Sequence, residues 1–241
     1  MGAQFHVGCS GWSYKHWRGD FYPRGLTASR WFEYYADVFD TVELNASFYR
    51  LPSESAVRFW REKAPEGFVF SVKASRLITH FRRLKDVEAA LDTFLRRMQG
   101  LEEHLGPLLF QLPPDFGPDH ERLEAFLELV PRRYRCAFEF RNRAWWSKET
   151  FRLLEQHDAA FCIYNAGETT TPVVATAPFV YVRFHGPSAS YASSYSDEQL
   201  REWARELRGL DGVSEVFAYL NNDIGGHAPR DAVRLREMVE G

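Results

Sequence analysis

Short runs rich in apolar, β-branched and aromatic residues recur eight times along the chain. They are FHVGC (5–9), TVELNASFY (41–49), FVFSVKAS (68–75), PLLFQLP (107–113), RCAFEFR (135–141), AAFCIYN (159–165), FVYVRFHG (179–186) and VFAYLNND (216–223). Gly, Pro, Asn or Asp brackets them, as befits strands. Seven intervening segments place apolar residues three and four apart, which is the helical period. These are 28–39, 53–64, 86–105, 119–130, 147–158, 196–209 and 228–240. Ser53 and Asp86 stand where N-caps belong. The remaining gap, AGETTTPVVATAP (166–178), is rich in Thr and Pro and predicts a loop. Strict alternation of strand and helix predicts parallel βα units. The chain is therefore expected to be an α/β protein, a TIM-type (β/α)8 barrel, with the helix missing or shortened between strands six and seven. Its 241 residues fit the ~250 that such a barrel needs. No linker divides it, so 1–241 is read as a single domain. An open doubly wound sheet is the alternative, but no GxGxxG follows the first strand and no Walker A motif occurs.

In a barrel strand, alternate side chains face the helices or the interior, and interior positions near the C-terminal ends open onto the active-site face. Polar side chains are costly there unless paired or hydrated. Strand two offers Glu43 and Asn45 on one face, with Val42 and Leu44 on the other. Strand three offers Lys73, strand four Gln111, and strand five Glu139 and Arg141. Strand seven offers Tyr181, Arg183 and His185, and strand eight ends in Asn221, Asn222 and Asp223. The polar group falls late in its strand each time, which predicts a ligand site at the barrel mouth. A single inward Glu–Arg pair is equally read as a structural ion pair. Loops after the strands add RLITHFRRLK (76–85), a basic stretch containing His80 and no acid, and the aromatics Trp12, Tyr14, Trp17, Trp145 and Trp146. The basic stretch is either a solvated face or an anion-binding rim. Some aromatics pack, and others suit stacking on a sugar ring or base. HGPSASYASSY (185–195) is long enough to act as a lid.

Composition narrows the classes. Net charge is −3, and no apolar run approaches the ~18–20 residues of a membrane helix. Nucleic acid is a possible partner but not the favoured one, since its binding depends on phosphate neutralisation. The N-terminus lacks a signal-peptide pattern. The three cysteines, Cys9, Cys136 and Cys162, lack CxxC spacing and read as buried thiols of a cytoplasmic protein. The sequence leaves the oligomeric state open.

The strings CSGWSYKHWRGDFYP, TVELNASFYRLP, FSVKASRLITHFRRLKD, AFEFRNRAWW, YVRFHG and YLNND followed by GGHAP resemble the signature segments of the family called domain of unknown function 72, or YecE-like. The resemblance runs from Val7 to about Leu235 and implies a TIM-type barrel. It carries no established activity. It adds Trp12, Phe48, Tyr49 and His80 to the site residues reached by strand parity. Cys9 departs from the Thr common at that position.

The favoured function is an enzyme using general acid/base chemistry on a small anionic, hydroxyl-bearing substrate, such as a phosphorylated sugar or nucleotide. Hydrolase, lyase and isomerase chemistry all suit the scaffold. Glu43, Glu139, Lys73 and His185 are the expected catalytic residues. Arg141 and Arg183, with Lys73, suit an anion, and Asn45, Gln111, Asn221 and Asn222 suit hydroxyls. Trp12, Tyr49 and His80 complete the expected substrate contacts. No cofactor site is legible. One alternative is a metal-dependent phosphodiesterase or nuclease-like enzyme with a divalent ion on Glu43, Glu139, His185 and Asp223, although the intermixed cations oppose a metal. Another is a non-catalytic nucleotide- or nucleic-acid-binding protein. A lysine on a barrel strand also raises Schiff-base chemistry at Lys73.

Overall fold

The computed structural model describes residues 2–188 and 191–241. Eight parallel strands form its centre: β1 (Gln4–Cys9), β2 (Thr41–Leu44), β3 (Val69–Lys73), β4 (Leu105–Leu112), β5 (Cys136–Phe140), β6 (Ala160–Ala166), β7 (Phe179–Phe184) and β8 (Glu215–Leu220). The hydrogen-bonded order is β5-β4-β3-β2-β1-β8-β7-β6, and pairing of β5 with β6 closes the ring. The outer layer holds helices α1 (Trp31–Val38), α2 (Glu54–Lys63), α3 (Glu88–Met98), α4 (His120–Leu129), α5 (Lys148–Gln156), α6 (Asp197–Arg208) and α7 (His227–Glu240). The chain is thus a TIM-type (β/α)8 barrel in which the helix between β6 and β7 is absent. There, Thr169–Thr170 folds back antiparallel on the end of β6.

Local chemistry sets most boundaries. Ser53, Asp119, Ser147 and Ser196 each accept a backbone N–H at the start of a helix, and Ser196 forms a capping box with Gln199. Two expectations fail. Asp86 does not cap α3: its φ is +51° and the helix starts after Val87 without a side-chain cap. The predicted strand over 41–49 stops at Leu44, and Ala46–Tyr49 forms a single helical turn. Ser47 explains the change, because its hydroxyl donates to the carbonyls of Leu44 (3.2 Å) and Lys73 (2.7 Å) and ties the turn across two strand ends. This turn carries Phe48 and Tyr49 over the barrel mouth.

Two apolar regions result from strand alternation. Outward residues such as Val42, Leu44, Phe138, Phe140, Val180 and Val182 join the helices in the main core. Inside the barrel, Leu109, Ala137, Ala160, Cys162, Phe179, Tyr181, Phe217 and Tyr219 form a smaller cluster. Cys9 belongs to the outer core, so its departure from Thr leaves the mouth untouched. The β1–β2 seam is unusual. The Tyr35 hydroxyl accepts from Cys9 N–H (2.8 Å) and donates to the Thr41 carbonyl (2.9 Å), standing in for a strand hydrogen bond. Gly8 is required there, since a Cβ would lie 2.2 Å from the Thr41 carbonyl oxygen.

Candidate functional site

The polar side chains above the inner apolar cluster occupy two depths. The lower level is a buried ionic floor. Arg183 is 2% exposed and bridges two fully buried carboxylates, Nη1 to Glu139 Oε2 at 2.6 Å and Nη2 to Glu43 Oε1 at 2.8 Å. Glu43 also accepts from Ser10 Oγ (2.7 Å), Tyr181 Oη (2.7 Å) and Asn45 Nδ2 (3.1 Å). Glu139 accepts from Gln111 Nε2 at 2.8 Å and pairs with Arg141 Nε. Burial alone would raise both carboxyl pKa values. For Glu43 the charge and hydrogen bonds of Arg183, helped by Tyr181 and Ser10, outweigh it and hold the value low. For Glu139, the charges of Arg141, Arg183 and Lys73 outweigh burial and hold the carboxyl well below its usual range. Both carboxylates are thus favoured in the ionised form and serve as acceptors for the donors of the floor.

The upper level faces a cavity of about 700 Å³, lined among others by Asn45, Lys73, His80, Gln111, Arg141, Arg183, His185 and Asn221. Neither Glu43 nor Glu139 lines it. Lys73 Nζ donates to Gln111 Oε1 (2.8 Å) and lies 4.1 Å from the Phe48 ring centroid. Burial, then Arg183 and Arg141, push its pKa down to about 8 against the pull of Glu139 and Glu43. Arg141 is held over the Tyr164 ring at 4.6 Å, and its Nη2 lies 2.9 Å from His185 Nε2. Arginine only donates, so Nε2 accepts and the proton of neutral His185 sits on Nδ1. Asn221 Nδ2 lies 2.9 Å from Nδ1, and turning the carboxamide about its Cβ–Cγ bond brings Oδ1 there as the acceptor that this tautomer requires. Burial, with Arg183, Arg141 and Lys73, drives the His185 pKa well below its ordinary value.

The predicted residues separate accordingly. Asn45, Tyr49, Lys73, His80, Gln111, Arg141, Arg183, His185 and Asn221 come together around the cavity. Asn222 does not: its Nδ2 is spent on Ser193 O and Asp231 Oδ2, both at 2.8 Å, beneath α7. Trp12 packs against Phe32 (5.0 Å) and Trp60 (6.0 Å) and lines a separate, more apolar groove. Trp17 and Trp145 are fully buried core side chains. The four residues considered for a metal do not converge. Asp223 lies against His16 (3.4 Å), and among the described residues no group of three or more His, Cys, Asp or Glu is arranged to hold an ion. No helix among them is long and apolar enough to cross a membrane. Residues 189 and 190 of the predicted lid lie outside the described residues. Tyr191, in the same stretch, lines the cavity with its ring 5.0 Å from His185.

Tyr14, one of the loop aromatics weighed for stacking, also lines the cavity, as do Tyr164 and Thr169, which strand parity and the loops did not single out. Tyr164 was legible: it lies two residues beyond inward Cys162, so it shares that face. Thr169 was not, because only the antiparallel fold-back at the end of β6 brings it there.

A closed parallel barrel whose polar side chains gather where the strands end defines a TIM-type barrel protein with a C-terminal-face pocket. The chain belongs to the family described as "Protein of unknown function DUF72", whose model matches residues 6–241. It is 27% identical over 273 residues to the UPF0759 protein YunF of Bacillus subtilis strain 168, covering 98% of this chain and 94% of that one. A solved DUF72 family protein of Thermotoga maritima MSB8 superposes with a TM-score of 0.89 at 30% identity, covering 99% and 100% of the two chains. Another, from Enterococcus faecalis V583, gives 0.83 at 21% identity, covering 99% and 96%.

Proposed function

We propose that the barrel mouth binds a small anionic, hydroxyl-bearing molecule, of the size of a phosphorylated sugar or nucleotide, and acts on it as an enzyme. The observation that carries this reading is the division of charge by depth. Lys73, Arg141 and Arg183 line the cavity, while the carboxylates that balance them are sunk below it. A ligand meets three cationic groups and no anion. Guanidinium groups suit phosphate or carboxylate, and Arg141 is already oriented by Tyr164 and His185. Gln111, Asn45 and Asn221 supply amides for hydroxyls. Arg183 Nε and Asn45 Oδ1 are buried and make no hydrogen bond among the described residues, which leaves polar capacity beside the cavity.

Proton transfer in this reading falls to only part of the expected catalytic set. The two carboxylates are stabilised in their ionised state, so Lys73 and the histidines carry the acid/base role in this reading. A nucleotide is the second form of the ligand. Tyr49 and Phe81 are exposed at the rim (69% and 66%), with the Arg76 guanidinium against both rings, and such a surface suits a base.

Calorimetric titration of wild-type protein with phosphorylated sugars, mononucleotides and sugar acids tests the proposal. Binding is expected, weakened about 10- to 100-fold in Arg141→Ala, the loss of one charged contact. Absence of binding across all three classes overturns it. Salt-sensitive binding to polynucleotides alone would assign the site to the non-catalytic alternative.

A further inference from the structure

We infer that Lys73 is an imine-forming nucleophile and that the anionic substrate carries a reactive carbonyl, as in a ketose phosphate or a 2-oxo acid. The inference rests on the anion site proposed above and names the substrate class within it.

The geometry around Nζ separates Lys73 from the site's other cations. Arg141 and Arg183 both touch carboxylates directly. Lys73 does not. Gln111 stands between, taking Nζ on its oxygen (2.8 Å) and giving its Nε2 hydrogen to Glu139 (2.8 Å). A carboxylate at position 111 would hold the amine charged, whereas a neutral amide fixes its position and withholds the countercharge. The Phe48 ring covers another side. Lys73 is 9% exposed, yet it lines the cavity. Lys15, Lys63, Lys85 and Lys148 are all exposed. With its pKa lowered to about 8, mainly by burial and Arg183, about a tenth of Lys73 is the free amine at pH 7. An ordinary lysine has about 300-fold less.

A proton carrier shares its ring contact and its cavity. His80 also contacts Phe48, at 4.9 Å between rings, and lines the same cavity. The Thr79 hydroxyl donates to Ser75 O (3.3 Å), so its oxygen accepts from His80 Nδ1 (2.9 Å), and Nε2 carries the lone pair. Burial and then Lys73 lower the His80 pKa, which keeps the ring neutral and basic.

The step balances without any further reagent. The ammonium gives one proton to His80, and the Nζ lone pair adds to the carbonyl carbon as the C=O π pair moves to oxygen. His80 returns that proton to the oxygen. A second proton passes from nitrogen to oxygen by the same route, water leaves, and the positive charge remains on the iminium nitrogen. The iminium then accepts electron density from the neighbouring carbon, which suits lyase or isomerase chemistry.

The test uses wild-type protein with dihydroxyacetone phosphate or pyruvate, reduction by cyanoborohydride, and peptide mass mapping. One reduced adduct is expected on Lys73, formed at least about tenfold faster than on any of the four exposed lysines, as the free-amine fractions require. Its rate should rise with pH to a midpoint near 8. Gln111→Glu should move that midpoint upward, an effect that loss of a purely structural amide would not produce. Labelling spread evenly over exposed lysines, or none on Lys73, overturns the inference. Thermal shift by inorganic phosphate, compared between wild type and Arg141→Ala, reads the anion site without carbonyl chemistry. A shift that Arg141→Ala abolishes, with no Lys73 adduct, retires the imine and leaves the anion site standing. Neither shift nor adduct removes both.

Discussion

The floor and the face of the mouth are built from the same kinds of side chain and differ in how completely those side chains are used. On the floor, Glu43 has four hydrogen-bond donors, and Glu139 has two guanidinium groups and an amide. On the face, Lys73 has one amide and a ring, and His185 is kept neutral among cations. Saturated charges of the first kind hold a barrel's interior polar layer in one arrangement. Charges of the second kind are held at a cost, as binding and catalytic groups are. The difference is one of saturation: the carboxylates are fully engaged with donors, while the amine keeps free capacity toward the cavity.

Substitutions can break that comparison. The largest effect belongs to Arg183→Met, which would leave two buried carboxylates facing each other without their shared cation. Destabilisation of about 3–5 kcal/mol is expected, read by urea unfolding. A value near zero would mean that the floor is hydrated and open. Lys73→Met should do the opposite. Removing a buried cation whose pKa is depressed relieves its desolvation, so stability at pH 7 should rise by about 1–3 kcal/mol while imine trapping disappears. Destabilisation there would place Lys73 with the floor.

The smallest effect, a pH slope, sharpens the assignment. His185 has a depressed pKa, so as pH falls through about 6.5 the unfolded chain takes up a proton that the folded one refuses. Stability should therefore decline by about 1.4 kcal/mol per pH unit for that proton. Glu43 and Glu139 are also depressed; their stabilising effect is complete above about 4.3 and is lost as pH falls further toward their folded values. His185→Gln should lessen the first decline, leaving the share that comes from His80, and keep the second. Chemical denaturation at pH steps from 7 to 3 measures both.

Parity along single strands made much of this legible. Glu43, Tyr181, Arg183 and Glu139 point inward as alternation requires, because a strand's neighbours fix which face is which. The same rule stops where a strand stops. Asn221 and Asn222 lie just past β8, and there the chain turns, sending Asn221 to His185 and Asn222 to Asp231. Trp12 and Tyr14 sit two apart in one loop, yet only Tyr14 reaches the mouth cavity, since loop side chains follow local packing and not a period.

The order of apolar and polar positions by itself determined eight parallel strands, the missing sixth helix and the set of polar side chains delivered to one end of the barrel. These follow from short-range rules of alternation, helical period and capping. Depth was decided only by the tertiary structure. Whether a carboxylate meets solvent or an arginine from a strand over a hundred residues away depends on ring closure and register, and so does whether an amide falls between Lys73 and Glu139. Protonation state follows from those long-range neighbours, because burial and charge act through space and not along the chain.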